Sequence, residues 1–334
     1  MPGKISPFAI GVLFASVALG QGADRLVTLT HTDIRGLQQI ASIVRTIADT
    51  QNVSVDEANQ TIAVHGTAGQ AALAAWLCAE LDRLPGGMSG SVRHDYPETV
   101  AGADKVQISY LAHVPAAAAL QEMLNLTRAV GEIQRASGYP QLNAVVLRAS
   151  PERMALADWL IGELDRPDAP AAQTPHDYRA AFDARADTAQ VIFLANTANP
   201  QALQEIINAT RSVSDVQRVF PYNSLKALSL RGSAEQIALA DWVIRELDKP
   251  ASQAPDADPH EYQVPAAVAG GAVARVFYLS SIQAPYLLQE VVNAVRSEAN
   301  VQRAYPVHQL NAITVRGSND QIARAEQIIR ARDR

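Results

Sequence analysis

A chain of 334 residues with 48% hydrophobic content can fill one large core or several small ones, and length alone suggests roughly two domains. Its formal charge of -6 and pI near 5.7, with no basic concentration anywhere, exclude a general polyanion binder, because nucleic-acid affinity draws on a surplus of Lys and Arg. The single cysteine, Cys78, excludes an internal disulfide.

At the N-terminus, one Lys precedes an apolar run from Phe8 to Leu19, and Ala18, Leu19 and Gly20 offer small residues for cleavage. This pattern predicts a secretory signal peptide over residues 1–20, removed before Gln21. The run is shorter than the ~20 residues a spanning helix needs, so no membrane span is expected in the mature chain; a retained N-terminal anchor is the competing reading.

The remainder is a fourfold repeat, which overrides the domain count from length. Trp76, Trp159 and Trp242 recur at a spacing of 83 residues, and the same step aligns Leu37, Leu120 and Leu203. A further step of 85 reaches Leu288 and the C-terminal "RGSNDQIARAEQII". The copies span residues 24–84, 104–166, 189–249 and 274–334, with linkers at 85–103, 167–188 and 250–273.

In the third copy, "AQVIFLAN" is rich in Val, Ile and Phe and predicts a strand. Asn199 caps a helix with Pro200 in its first position, followed by Leu203, Ile206, Ile207 and Thr210 at helical spacing. Two short strands follow around a turn near residues 221–224, and Ser233 with Gln236 forms a capping box opening the Trp242 helix. Thr67 with Gln70, Ser318 with Gln321, and Ser150 before Pro151 keep that device in the other copies. The predicted fold class is therefore α+β: four tandem βαββα units, each a three-stranded sheet with two helices on one face.

Each Trp helix carries a second apolar direction. From Ile237, the stripe runs through Ala240, Val243, Ile244 and Leu247, while Leu239 and Trp242 point away from it. Leu73 with Trp76 and Leu156 with Trp159 repeat the pair, but the fourth copy has Arg324 and Gln327 there. The linkers, otherwise composed like solvated spacers, repeat His94-Asp95-Tyr96, His176-Asp177-Tyr178 and His260-Glu261-Tyr262. These patterns predict that the Leu-Trp pairs dock the following linker or unit, with Tyr96, Tyr178 and Tyr262 as partner contacts, and that the fourth unit is a polar cap. The competing reading packs each Trp on the edge of its own sheet.

Several segments resemble a known family: "LNAVVLRASP" at Leu142 to Pro151, "LNAITVRGSNDQI" at Leu310 to Ile322, the "ELDRP" and "ELDKP" endings at Glu163 to Pro167 and Glu246 to Pro250, and "ALQEIINATRS" at Ala202 to Ser212. They resemble the periplasmic N-domains of bacterial secretins, the outer-membrane channels of type II and type III secretion and of type IV pili. The resemblance implies ring-building modules that pack side by side and bind periplasmic protein partners, with no catalytic residues. A secretin's channel domain does not follow here, so this chain is not expected to be the pore. The resulting expectation is a non-catalytic periplasmic scaffold or adaptor with envelope protein partners, open to homo-oligomerisation. The alternatives are a glycan- or peptide-binding module with exposed Trp and Tyr platforms, or a hydrolase using the His-Asp-Tyr segments.

Other chemistry is weakly signalled. Glu163 with Asp165 and Glu246 with Asp248 are expected at solvated helix ends, since residues two apart diverge by about 200°. Cys78 aligns with Ile161, Ile244 and Ile329, which predicts a buried inert thiol. A metal site would need His94, His176 and His260 to converge from separate linkers. No cofactor motif is present, and the Gly66 to Gly69 "GTAG" lies between a strand and a helix rather than between two helices, unlike an RNA-binding loop.

Overall fold

The computed structural model describes residues 15–18, 23–84, 90–170, 174–180, 182–197, 199–250, 260–268, 272–282 and 284–334. The expected signal peptide lies outside them except for the backbone of β1 (Ala15–Ala18). The first copy continues as β2 (Ala23–Thr28), α1 (Ile34–Ala48), β3 (Val53–Asp56), β4 (Thr61–Gly66) and α2 (Ala68–Leu81). The second contains β5 (Val92–Asp95), β6 (Lys105–Tyr110), α3 (Ala117–Ala129), β7 (Arg135–Tyr139), β8 (Ala144–Ala149) and α4 (Pro151–Leu164). The third contains β9 (His176–Arg179), β10 (Thr188–Phe193), α5 (Pro200–Ser214), β11 (Arg218–Tyr222), β12 (Ala227–Gly232) and α6 (Ala234–Leu247). The fourth contains β13 (His260–Gln263), β14 (Val273–Tyr278), α7 (Pro285–Glu298), β15 (Arg303–Val307), β16 (Ala312–Gly317) and α8 (Asn319–Arg332).

The fold is α+β and built of four βαββα units, with the local signals where the sequence puts them. Thr67, Ser233 and Ser318 make reciprocal capping boxes with Gln70, Gln236 and Gln321, satisfying amides that a helix start leaves orphaned. Asn199 accepts from Ala202 N and Pro200 opens α5. The turn expected at 221–224 sits slightly later: Pro221 belongs to β11, and Lys226 makes the left-handed corner before β12. Pro221 is tolerated because β11 is an edge strand.

Each sheet has a fourth strand that composition alone hid. The His-Asp-Tyr segments form β5, β9 and β13, pairing antiparallel with β6, β10 and β14 of the following copy. Their two-residue alternation of half-buried and exposed positions marks a strand, but flanking Ala, Pro and Gly make them look like spacers. The resulting orders are β1-β2-β4-β3, β5-β6-β8-β7, β9-β10-β12-β11 and β13-β14-β16-β15.

The chain divides into two compact units, Met1–Leu120 with Ile133–Met154 and Gln121–Glu132 with Ala155–Arg334. In the first, one core joins Val27, Ile62 and Val64 of the first sheet, Leu37, Ile40, Val44 and Leu77 of its helices, and Val106, Ile108 and Val146 of the second sheet. In the second, α5 and α6 likewise lie between Ile192, Leu228 and Leu230 of the third sheet and Ala274, Val276 and Val307 of the fourth. A helix pair therefore serves two sheets. Among the described residues no helix is long and apolar enough to cross a membrane.

Candidate functional site: the joints between repeats

The second apolar direction of the Trp helices faces the following sheet. Leu73 is buried in the core that includes β6 and β8, and Leu239 in the core that includes β14 and β16. Leu156 is also fully covered. The three tryptophans are half-buried, each against the Tyr of the next linker strand: Trp76 to Tyr96 at 5.3 Å, Trp159 to Tyr178 at 5.3 Å and Trp242 to Tyr262 at 5.5 Å between centroids. These are edge-on or tilted pairs, the geometries that the ring quadrupole favours.

Two residues before each Tyr, a His meets the preceding helix end. The Nδ1 atoms of His94 and His176 lie 2.6 Å from Oε2 of Glu80 and Glu163, and His260 Nδ1 lies 3.1 Å from Glu246 Oε2; facing a carboxylate, the ring nitrogen is the donor. Tyr110 and Tyr278 add hydroxyl donation to the carbonyls of Glu80 and Glu246. Each His is thus occupied in its own joint. Among the described residues no cluster of three or more His, Cys, Asp or Glu is placed to hold a metal.

Buried arginines, which sequence reasoning missed, complete the joints. Arg148 of β8 donates to Ile47 O at 3.0 Å and Ala101 O at 3.0 Å, and pairs with Asp104. Arg231 of β12 donates to Val130 O at 3.0 Å and Ala186 O at 2.9 Å, beside Asp183. Arg316 of β16 donates to Val213 O at 2.7 Å and Val268 O at 2.9 Å, beside Asp215. Each receiving carbonyl in the preceding repeat ends the first helix there, where backbone acceptors are orphaned and the helix dipole is negative.

A second arginine, at the start of the edge strand, meets an acid just past the same helix end: Arg135 with Asp49, Arg218 with Glu132 and Arg303 with Asp215. These three acids hold left-handed backbone, at φ 58°, 55° and 59°, a conformation uncommon for residues with a Cβ. The corner turns each carboxylate toward its partner. Side contacts fill the margins: Glu122 accepts from the backbone and amide of Asn223, and Glu205 from His308 N. At the first joint Gln141 donates to Asp33 at 2.7 Å. Gly36 leaves room for that approach: a Cβ there would stand 2.4 Å from Thr32 Cγ2 and 2.5 Å from Gln141 Oε1.

The arginine signal was present in the sequence as the mirror image of the tryptophan signal. Copies two to four read "LRAS", "LRGS" and "VRGS" where the first reads "VHGT". His65 instead pairs with Asp24 at 2.7 Å on the exposed face of the first sheet, where Leu26 is 45% exposed. At the other end, Arg324 and Gln327 are exposed on α8, and Asn300 takes the place of the joint acid with φ 54°. Polar residues thus stand at the joint positions of both the first and the fourth copy.

The helix-end aspartates correct the solvated reading. Asp248 is 1% exposed and accepts from Ala195 N, Asn196 N and Thr197 N at 2.6, 2.8 and 2.9 Å. Asp165 is also buried, and Asp82 and Asp333 bind the backbone of Thr30 and His31, and of Ser280 to Ile282. Residues two apart do diverge, but one of the pair turns inward to satisfy a loop's amides. Cys78 is fully buried and its thiol is pushed up to about 12 by that burial, leaving it protonated at neutral pH.

The chain is similar to secretin N-terminal domains. The N-terminal domain of the secretin XcpQ from Pseudomonas aeruginosa is 16% identical over 68% of this chain and 100% of that one, at a TM-score of 0.23. Aeromonas hydrophila ExeD is 13% identical over 74% of this chain and 42% of its own, at 0.16. The ETEC pilotin-secretin AspS-GspD complex is 12% identical over 92% of this chain and 54% of that chain, at 0.16. No family model and no curated protein matches.

Proposed function

We propose that this protein is an exported, non-catalytic scaffold of secretin N-domain-like repeats that mediates protein-protein interaction in a bacterial cell envelope, in a secretion- or pilus-type assembly. In this reading, the pairs Leu73 with Trp76, Leu156 with Trp159 and Leu239 with Trp242, together with Tyr96, Tyr178 and Tyr262, set the joints between repeats. The periplasm is its compartment, reached through residues 1–20. The observation that carries the reading is the repeated joint itself: the same arginine, acid and aromatic contacts recur three times. Buried ionic contacts of this kind fix geometry more than they add stability. The aromatic pairs are half-covered by their own partners, which favours the scaffold over an open glycan platform.

The test is site-specific photocrosslinking in cells, with the reactive side chain placed at exposed Leu26 or Tyr286 and, as a control, at Trp159. Crosslinks from the first two positions to a component of an envelope assembly, and only internal crosslinks from Trp159, are expected. A chain found wholly in the cytoplasm, or end faces that crosslink to nothing in the envelope, would overturn the proposal.

A further inference from the structure

The first sheet differs from the others in what fills one edge. In the other three sheets the strand next to β6, β10 or β14 is a linker strand with an acid, Asp95, Asp177 or Glu261, in register with Gln107, Gln190 or Arg275. That acid meets a polar residue in register on the neighbouring strand: Gln190 donates to Asp177 at 2.8 Å, and Arg275 Nε donates to Glu261 at 3.0 Å. In the first sheet the place is held by β1, whose residues are Ala15, Ser16, Val17 and Ala18. Its register is the same, because Val17 stands opposite Asp24 as Tyr178 stands opposite Ala189, and Asp24 and Ala189 face His65 and Arg231 in turn. The register partner of Arg25 is then Ser16, where the other sheets have Asp95, Asp177 or Glu261.

β1 lies inside the segment expected to leave on export. Its loss exposes the amides and carbonyls of β2, and an unpaired strand edge is a template for another extended chain. We propose that the β2 edge is a strand-acceptor site for a partner protein, which adds an extended segment antiparallel to β2 with a carboxylate opposite Arg25. The three occupied edges supply the precedent for the acid, and the position of Arg25 supplies the complementary charge. Residues 15–18 hold the edge until processing. This deepens the scaffold reading and rests on its export step.

The probe is a labelled peptide of this chain's own sequence 259–265, "PHEYQVP", and its counterpart with Glu261→Lys, read by fluorescence anisotropy. They are offered to the unprocessed full chain, to the chain recovered after export, and to the full chain carrying Val17→Pro. Val17 holds the register place of Tyr96, whose N–H donates to Val106 O at 2.9 Å, and proline abolishes that donor. The acidic peptide should bind the exported chain and the Val17→Pro chain at least about tenfold more tightly than the unprocessed chain. The Lys peptide should bind about fivefold more weakly, and Arg25→Glu in the Val17→Pro chain should reverse that order.

Equal binding by closed and open chains, or a preference unmoved by Arg25→Glu, overturns the proposal. So does an exported chain that closes the edge by pairing β2 with a second copy, seen as a dimer by sedimentation. If N-terminal sequencing of exported chain does not start at Gln21, the export reading fails, while the Val17→Pro arm still judges the edge.

Discussion

Replacing Arg231 by Met isolates one joint without touching the surface. Its side chain is wholly buried, donates to the carbonyls of Val130 and Ala186, and stacks over Phe182 at 4.4 Å. Methionine keeps most of the volume and the ring contact but leaves both carbonyls without a donor, at about 1–3 kcal/mol each. The acids Glu132 and Asp183 are 24% and 28% exposed, so water screens their loss to under about 1 kcal/mol each. Relief of the guanidinium's own desolvation offsets part of this, giving a net destabilisation of ~2–4 kcal/mol. Urea unfolding followed by far-UV circular dichroism should show this loss and a transition that splits or broadens as the third repeat uncouples. Arg93→Ala, at a position 53% exposed, should stay within about 0.5 kcal/mol. A single unchanged transition for Arg231→Met, within that same margin of the parent, would refute the idea that the arginine locks the joint.

Asp248→Ala removes a buried acceptor serving three loop amides, one of them on buried Thr197, so denaturation should show a loss of ~3 kcal/mol, whereas Asp333→Ala, at the exposed end, should cost ~1 kcal/mol. Gly36→Ala drives a Cβ into Thr32 and Gln141; it should lower the melting temperature by about 4 °C or more, with Gly36→Ala plus Gln141→Ala recovering part of it. Asp33 and Asp183 are both held below the ordinary carboxylate value of 3.8, Asp33 chiefly by the Gly36 amide and then Gln141, Asp183 chiefly by the Arg185 amide and then Arg231. A depressed folded value means that the charged form contributes stability above pH 3.8, lost as pH falls through the lower folded value. Stability measured from pH 5 to pH 2 should therefore fall, and Asp33→Asn with Asp183→Asn should flatten that fall.

The four repeats, their helices and caps, and the outward Leu-Trp pairs were legible in the amino-acid order because they rest on local physics: side-chain periodicity and capping are set within one or two turns of the residue concerned. A contrast between copies marks the pairs as well, since copies one to three have a Leu and a Trp where the fourth has Arg324 and Gln327. The linker strands were hidden because four residues such as His176 to Arg179 become a strand only when β10 offers its edge.

The amino-acid sequence by itself determined the repeating βαββα unit and the polar residues of its last helix. Only the tertiary structure decided that an arginine on one strand reaches a helix end 101 residues earlier, as Arg231 reaches Val130, or that Asp248 turns inward to bind a loop 51 to 53 residues away. A charged side chain reads as solvated until its partners are known. The free energy that draws it inside comes from orphaned backbone groups, and their positions are set by the packing of whole elements rather than by neighbours in the chain.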